Sequence, residues 1–168
     1  MTTAIMENQR TKLWLWYGLA LVVIVLDQFS KHLATSLLQY NSPVAVLPVF
    51  EWRLLHNQGA AWSFLSDAGG WQRWFFIALS SIVSVVIAVW IARLPRAQSL
   101  LAAALALILG GAVGNVIDRA RFGYVVDFIS VHWFGGAHFP AFNIADSGIT
   151  VGAGLLILDM LLNQRNAE

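Results

Sequence analysis

Phe142-Asn143-Ile144-Ala145-Asp146-Ser147 opens an apolar run that continues from Ile144 to Leu162. At about 1.5 Å per residue a helix over that run reaches roughly 28 Å, close to the ~30 Å hydrocarbon core of a bilayer. The run therefore reads as a membrane-spanning helix, and it carries Asp146 in its first turn. A carboxylate at the edge of hydrocarbon is expensive, so its presence marks a candidate functional site.

Three more apolar spans lie upstream, at about Leu13 to Leu38, Trp71 to Ala92 and Ser99 to Ile117. Backbone polar groups in lipid must be satisfied within the segment, so all four are predicted as helices. Composition agrees. Charged residues make up 11% of the chain and hydrophobic residues 58%. A soluble domain carries roughly 25% charged residues, so this chain cannot coat itself in polar surface. Its 168 residues suit a single integral membrane domain, 1–168. The net charge of +1 and the lack of a Lys/Arg-rich run argue against a nucleic-acid partner. No cysteine is present, which excludes a disulfide framework, a thiolate nucleophile and a Cys-based metal site. Arg10 and Lys12 before Leu13 to Leu26 imitate a signal peptide. No small-x-small cleavage site follows directly, and the run passes into Asp27-Gln28-Phe29-Ser30-Lys31, so it is read as a retained first helix.

Orientation follows from basic residues at the helix ends. Arg10, Lys12, Arg93, Arg96 and Arg165 are placed on the cytoplasmic side, against Lys31, Arg53, Arg73, Arg119 and Arg121 outside. The raw count is level; the inner residues sit in short flanks, which favours both termini inside. The long outer connections are not helical in pattern. Pro43 and Pro48 break the first, and Phe50, Trp52 and Leu54 alternate with Val49, Glu51 and Arg53 as in a half-buried strand. Phe128 to Trp133 is also β-prone, with Gly135-Gly136 as a turn. The expected fold is thus mainly α: four transmembrane helices with a small β-sheet layer on the outer face. Trp52, Trp62, Trp71, Trp74 and Trp133 suit the outer interface, and Trp14, Trp16 and Trp90 the inner one. Gly110/Gly114 and Gly148/Gly152 have small-xxx-small spacing, which lets helix backbones approach closely. Such faces are expected to join the outer ends of helices three and four.

Most acids have an ordinary reading. Glu7, Asp159 and Glu168 lie near the inner side, and Glu51 and Asp67 in the outer loop, as solvated or interfacial charges. Asp27 and Lys31 share a helix face; they form a salt bridge, and the alternative is that they brace a site. Asn115 and Arg119 share a face of helix three, whereas Asp118 is turned away by about 100° and reads as the partner of a nearby base. Asp127 and Asp146 remain. Spacing alone leaves two readings open, separate interfacial acids or a catalytic dyad. Two carboxylates in one site do not both ionise easily, so one retains a proton. The ionised acid would draw a proton from water while the other donates to a carbonyl oxygen. No metal or cofactor is needed for that chemistry. A zinc site from His132, His138 and Asp127 is a weaker alternative, and Ser147 lacks the setting of a nucleophilic serine.

Five blocks in order carry a family resemblance: Asp27 to Lys31, Asn57 to Phe64, Gly110 to Arg119, Val125 to Phe128 and Phe142 to Ser147. With the size and the four spans, the chain resembles the bacterial lipoprotein signal peptidases, also called signal peptidase II. The resemblance implies an inner-membrane aspartyl endopeptidase. It would cleave diacylglyceryl-modified prolipoproteins just before the lipidated cysteine, and globomycin-type inhibitors would block it. It implies a catalytic pair at Asp127 and Asp146, substrate-binding positions at Asn57, Asn115, Arg119, Asn143 and Ala145, and support from Asp27 and Lys31. Membrane lipid would surround both enzyme and substrate, with the site near the periplasmic face. A loop around Asn57-Gln58-Gly59 is expected to close over the substrate. A transporter would need polar residues through mid-membrane, and an inert scaffold leaves the clustered Asn, Asp and Arg unexplained. A presenilin-type protease would carry a Gly-x-Gly-Asp pattern that this chain lacks.

Overall fold

The computed structural model describes residues 2–59, 69–95, 98–133 and 139–165. Trp62, Asp67, Arg96, the Gly135-Gly136 turn and His138 lie outside them. Four long helices are present: α1 (Thr2–Leu37), α2 (Trp71–Arg93), α3 (Ser99–Phe122) and α4 (Ile144–Arg165). Each contains a stretch long and apolar enough to cross a membrane. Leu21, Val25, Ile82, Val85, Ile157 and Leu161 are exposed along α1, α2 and α4. Helices that show apolar side chains outward in this way need lipid as their solvent.

α3 is the hub. Half of its most apolar stretch is buried, against at most 17% for the other three. Small residues make this possible: Ala102, Ala104, Ala106, Gly110, Gly111 and Gly114 are all buried and let three helices crowd around one. The glycines divide the work differently from the sequence expectation. A Cβ on Gly110 would meet the Ala20 carbonyl and Val23 of α1, and one on Gly114 would meet Asp27 of α1. The Gly110/Gly114 face therefore receives α1 most closely, with Ala145 of α4 also within 3.4 Å of a Cβ on Gly114. Gly111, one position on, receives α4 at Ala145, and Gly148 and Gly152 of α4 return the contact at Leu107, Ala104 and Ile108.

The helix ends follow local chemistry. Leu94 is extended ahead of Pro95 and ends α2. α3 runs past the predicted Ile117 to Phe122, where Gly123 takes φ 86° and donates its N–H to the Arg119 carbonyl. Three antiparallel strands form a sheet in the order β1 (Val44–Leu47), β2 (Phe50–Asn57), β3 (Val125–Val131). β1 was not expected; all four of its residues are exposed. A register shift between Trp52 and Leu55 breaks the simple alternation of β2. As a result Glu51 and Leu54 are buried while Trp52 is exposed. The reading of Glu51 as a solvated charge is thus corrected: it accepts a hydrogen bond from the buried Ser130 hydroxyl at 3.1 Å.

Candidate active site

α1 buries a stripe at helical spacing, Ala20, Val23, Asp27, Lys31 and Ala34. The stripe is apolar at one end and charged where it meets the far ends of α3 and β3. Lys31 Nζ lies 2.8 Å from Asp27 and 3.0 Å from Asp118, and all three side chains are almost fully buried. The predicted salt bridge between Asp27 and Lys31 is present, and Asp118 is indeed the partner of a base. Removing one member of such a buried group costs about 3–5 kcal/mol, because the others are left charged without compensation. Gln28, which the sequence reading passed over, completes the cluster by donating to Asp118 Oδ1 at 2.8 Å. Its signal was visible: a second polar side chain beside Asp27 in an apolar span.

Asp118 and Asp27 also reach outside the cluster. Asp118 accepts the Val126 N–H at 3.0 Å, fixing the start of β3, and Asp27 accepts the Ala145 N–H at 2.9 Å, fixing the first turn of α4. On its other side β3 is joined to the segment before α4, since Ile129 and Phe142 exchange N–H to carbonyl bonds at 2.9 and 3.0 Å. Asp127 and Asn143 are thereby brought side by side.

Asn143 caps α4. Its Oδ1 accepts the Asp146 N–H at 3.0 Å, and Asp146 Oδ2 accepts the Asn143 N–H at 3.2 Å. This reciprocal pair is a capping box. The Asn143 side-chain amide turns the other way and donates to Asp127 Oδ1 at 2.7 Å. One residue thus touches both acids. Asp127 Oδ2 also accepts from Asn57 at 3.1 Å, and Asp146 Oδ1 from Asn115 at 2.8 Å. Burial, and after it the negative charge of Asp146, push the Asp127 carboxyl up to about 7, against the pull of Asn57, Asn143 and Lys31. Asp127 is 3% exposed, whereas Asp146 is half-buried.

A cavity of about 640 Å³ opens beside this pair, between α2, α3, α4 and the segment at Phe139 to Phe142. Asn57, Asn115, Arg119 and Asp146 line it, and apolar walls come from Phe76 and Ile149. Asn143 and Ala145, expected as substrate-binding positions, are fully buried behind it. Their hydrogen bonds instead set the acids and the start of α4. Arg119 lies over the Phe76 ring at 5.1 Å and donates to the Gly59 carbonyl at 2.8 Å. The expected loop at Asn57 to Gly59 is therefore pinned at its root, where Gly59 N–H also donates to Asn57 Oδ1 at 3.0 Å; its continuation, 60–68, lies outside the described residues. Among the described residues no group of three or more His, Asp or Glu side chains is arranged to hold a metal.

Fold and site together define a multi-pass membrane protein with a cavity at one end of its helix bundle, lined by Asp146, Arg119 and two asparagines. Comparison with known proteins makes this more specific. Residues 19–162 match the family described as signal peptidase (SPase) II, and the chain belongs to that family of proteases. A lipoprotein signal peptidase of Acinetobacter baumannii is 57% identical over 145 residues, covering 86% of this chain and 82% of the relative. One from Pseudomonas fluorescens is 51% identical over 154 residues, covering 91% of each. A solved bacterial membrane enzyme superposes with a TM-score of 0.81 at 31% identity, again over 91% of both chains.

Proposed function

We propose that the chain, as a single membrane domain spanning 1–168, is an aspartic endopeptidase. It removes the signal peptide from diacylglyceryl-modified prolipoproteins and cuts before the lipidated cysteine. The observation that carries this reading is Asn143, whose backbone and side chain bind Asp146 and Asp127 at once. Two carboxylates coupled through one residue beside a cavity are suited to sharing a single proton.

The buried Asp127 is the better keeper of that proton near neutral pH. Asp146 sits in the first turn of α4, beside the cavity, where it accepts N–H bonds from the Asn115 side chain and the Asn143 backbone. In the proposed step Asp146 takes a proton from water as the water oxygen bonds to the scissile carbonyl carbon. Asp127 gives its proton to the carbonyl oxygen. The tetrahedral diol then collapses: the C–N bond breaks, Asp146 gives its proton to the departing amine nitrogen, and Asp127 takes the proton of a diol hydroxyl as that oxygen re-forms the carbonyl. Arg119 supports substrate binding, because its Nε is buried without an acceptor among the described residues and the side chain lines the cavity. Asn57 and Asn115 offer further polar contacts there, and Asn143 and Ala145 serve the substrate indirectly by setting the dyad.

The chemistry needs no metal or cofactor. The expected setting is the bacterial inner membrane, with membrane lipid around the substrate's acyl chains and a globomycin-type inhibitor competing for the cavity. The test is cleavage of a diacylglyceryl-modified propeptide in detergent. Asp127→Asn and Asp146→Asn should each lower turnover by more than about 10³-fold while the protein remains folded. Near-normal turnover by either folded variant would sink the dyad.

A further inference from the structure

We propose that Lys31 is a positioning residue for the catalytic step: its ammonium fixes the Asn115 amide in the orientation that aims an N–H at Asp146. The proposal rests on the dyad reading given above. An ammonium has three N–H donors and no acceptor. Lys31 gives one to Asp27 Oδ2 at 2.8 Å, one to Asp118 Oδ2 at 3.0 Å and one to Asn115 Oδ1 at 2.9 Å. An amide presents oxygen at one end and NH₂ at the other, and which end faces which neighbour is decided by the hydrogen-bond network. Turned over, Asn115 would set its NH₂ against the ammonium and its oxygen against the Asp146 carboxylate. Both contacts would be repulsive, and burial of Lys31, 3% exposed, strengthens the repulsion at its end. In the observed orientation Asn115 Nδ2 donates to Asp146 Oδ1 at 2.8 Å, and the Asn143 amide approaches Asn115 Oδ1 at 3.3 Å in the same sense.

The ammonium is itself fixed from four elements. Gln28 of α1 and the Val126 N–H of β3 hold Asp118 of α3, and the Ala145 N–H of α4 holds Asp27. The charged groups around the relay are Asp27 on α1, Asp118 and Arg119 on α3, Asp127 on β3 and Asp146 on α4. Lys31 and Asp118 do not line the cavity, so replacing them removes no side chain that faces it, whereas Asn115, which they orient, does line it.

The experiment uses the full chain in detergent with a lipidated propeptide. Lys31→Met is combined with Asp118→Asn, which keeps the net charge of the cluster, and the pair is assayed alone and with Asn115→Leu. The relay predicts a fall in kcat of about tenfold or more with KM within about twofold. It also predicts non-additivity, with the combined variant no slower than Asn115→Leu alone. Unchanged kcat in the folded pair variant, or effects that simply multiply, would overturn the proposal. Asn115→Asp gives an independent reading if the pair variant fails to fold. It keeps the oxygen that Lys31 needs and removes the N–H aimed at Asp146, so kcat should fall by a similar factor. Wild-type kcat in a folded Asn115→Asp protein would also refute the relay. Asp127→Asn and Asp146→Asn are run alongside. If they are inactive while the Lys31 variant turns over normally, only the relay has failed; if they turn over, the dyad has.

Discussion

Asp127 and Asp146 have the same side chain and different surroundings, and the difference sets their chemistry. Asp127 lies in a buried strand, and its carboxyl is raised from 3.8 to about 7. If the step needs its proton, kcat should hold below neutrality and fall as pH rises past about 7, which a pH–rate profile would show. Stability carries the same signature. A raised pKa means the folded protein binds this proton more tightly than the unfolded chain does. The contribution is fully present below the unfolded value near 3.8 and is lost as pH rises through about 7. Asp127→Asn removes the cost of burying the charge. It should therefore be more stable than the wild type at pH 8, by up to about 4 kcal/mol, and no more stable at pH 4. Thermal melts at the two pH values check this, and an equal shift at both would contradict it. The acids and their asparagines were legible in the sequence because charge and amide are rare in apolar spans. Ser130 and Glu51 were not legible as a buried pair, because the shift between Trp52 and Leu55 in β2 moves Glu51 inward. No alternation pattern encodes such a shift.

At the scale of elements, the four spans could be read from length and hydropathy, yet their packing could not. A helix that is apolar all round gives no stripe from which to choose a partner. The glycines narrowed the choice to close approaches without assigning them. Gly110 and Gly114 meet α1, and the tightest approach of α3 to α4 falls to Gly111, whose added Cβ would run into the Ala145 carbonyl oxygen and lie 2.8 Å from Ile149. Neither backbone can yield without moving the first turn of α4, and that turn carries Asp146. Gly111→Ala should therefore destabilise the protein by about 1–3 kcal/mol. It should also lower activity by about tenfold or more, because a displacement of ~1 Å at the reacting groups is already costly. Gly154→Ala is the control, since nothing lies within 4 Å of its added Cβ. Helix propensity makes that change neutral or stabilising by up to about 1 kcal/mol. Equal effects at the two glycines, in melts and in turnover, would show that the close contact at Gly111 does not matter.

For the whole molecule, the structure alters an argument that the sequence left level. Basic residues divided evenly between the two sides of the membrane, five against five, when all ten were counted as flanking charges. Lys31 and Arg119 are buried within the bundle, at 3% and 8% exposure. They are committed to Asp27, Asp118, Asn115 and the Gly59 carbonyl and do not act as free flanking charge. Taking them out leaves Arg53, Arg73 and Arg121 on the side of the sheet, so the bias favours the opposite side as cytoplasmic. The tryptophans agree in spacing, because Trp14 and Trp90 are exposed at one end of the bundle and Trp71, Trp74 and Trp133 at the other. With four spans, this bias predicts both termini inside and the sheet, with the proposed dyad, on the periplasmic face. The prediction can be tested cleanly because the chain has no cysteine. A single cysteine at the exposed Ser42, before β1, should react with a membrane-impermeant maleimide in intact spheroplasts. One at the exposed Asn163, near the end of α4, should react only after the membrane is permeabilised. The reverse pattern would invert the topology and place the proposed dyad on the wrong side for a substrate processed after export; labelling of both sites in intact spheroplasts would deny that α2, α3 and α4 all cross the membrane.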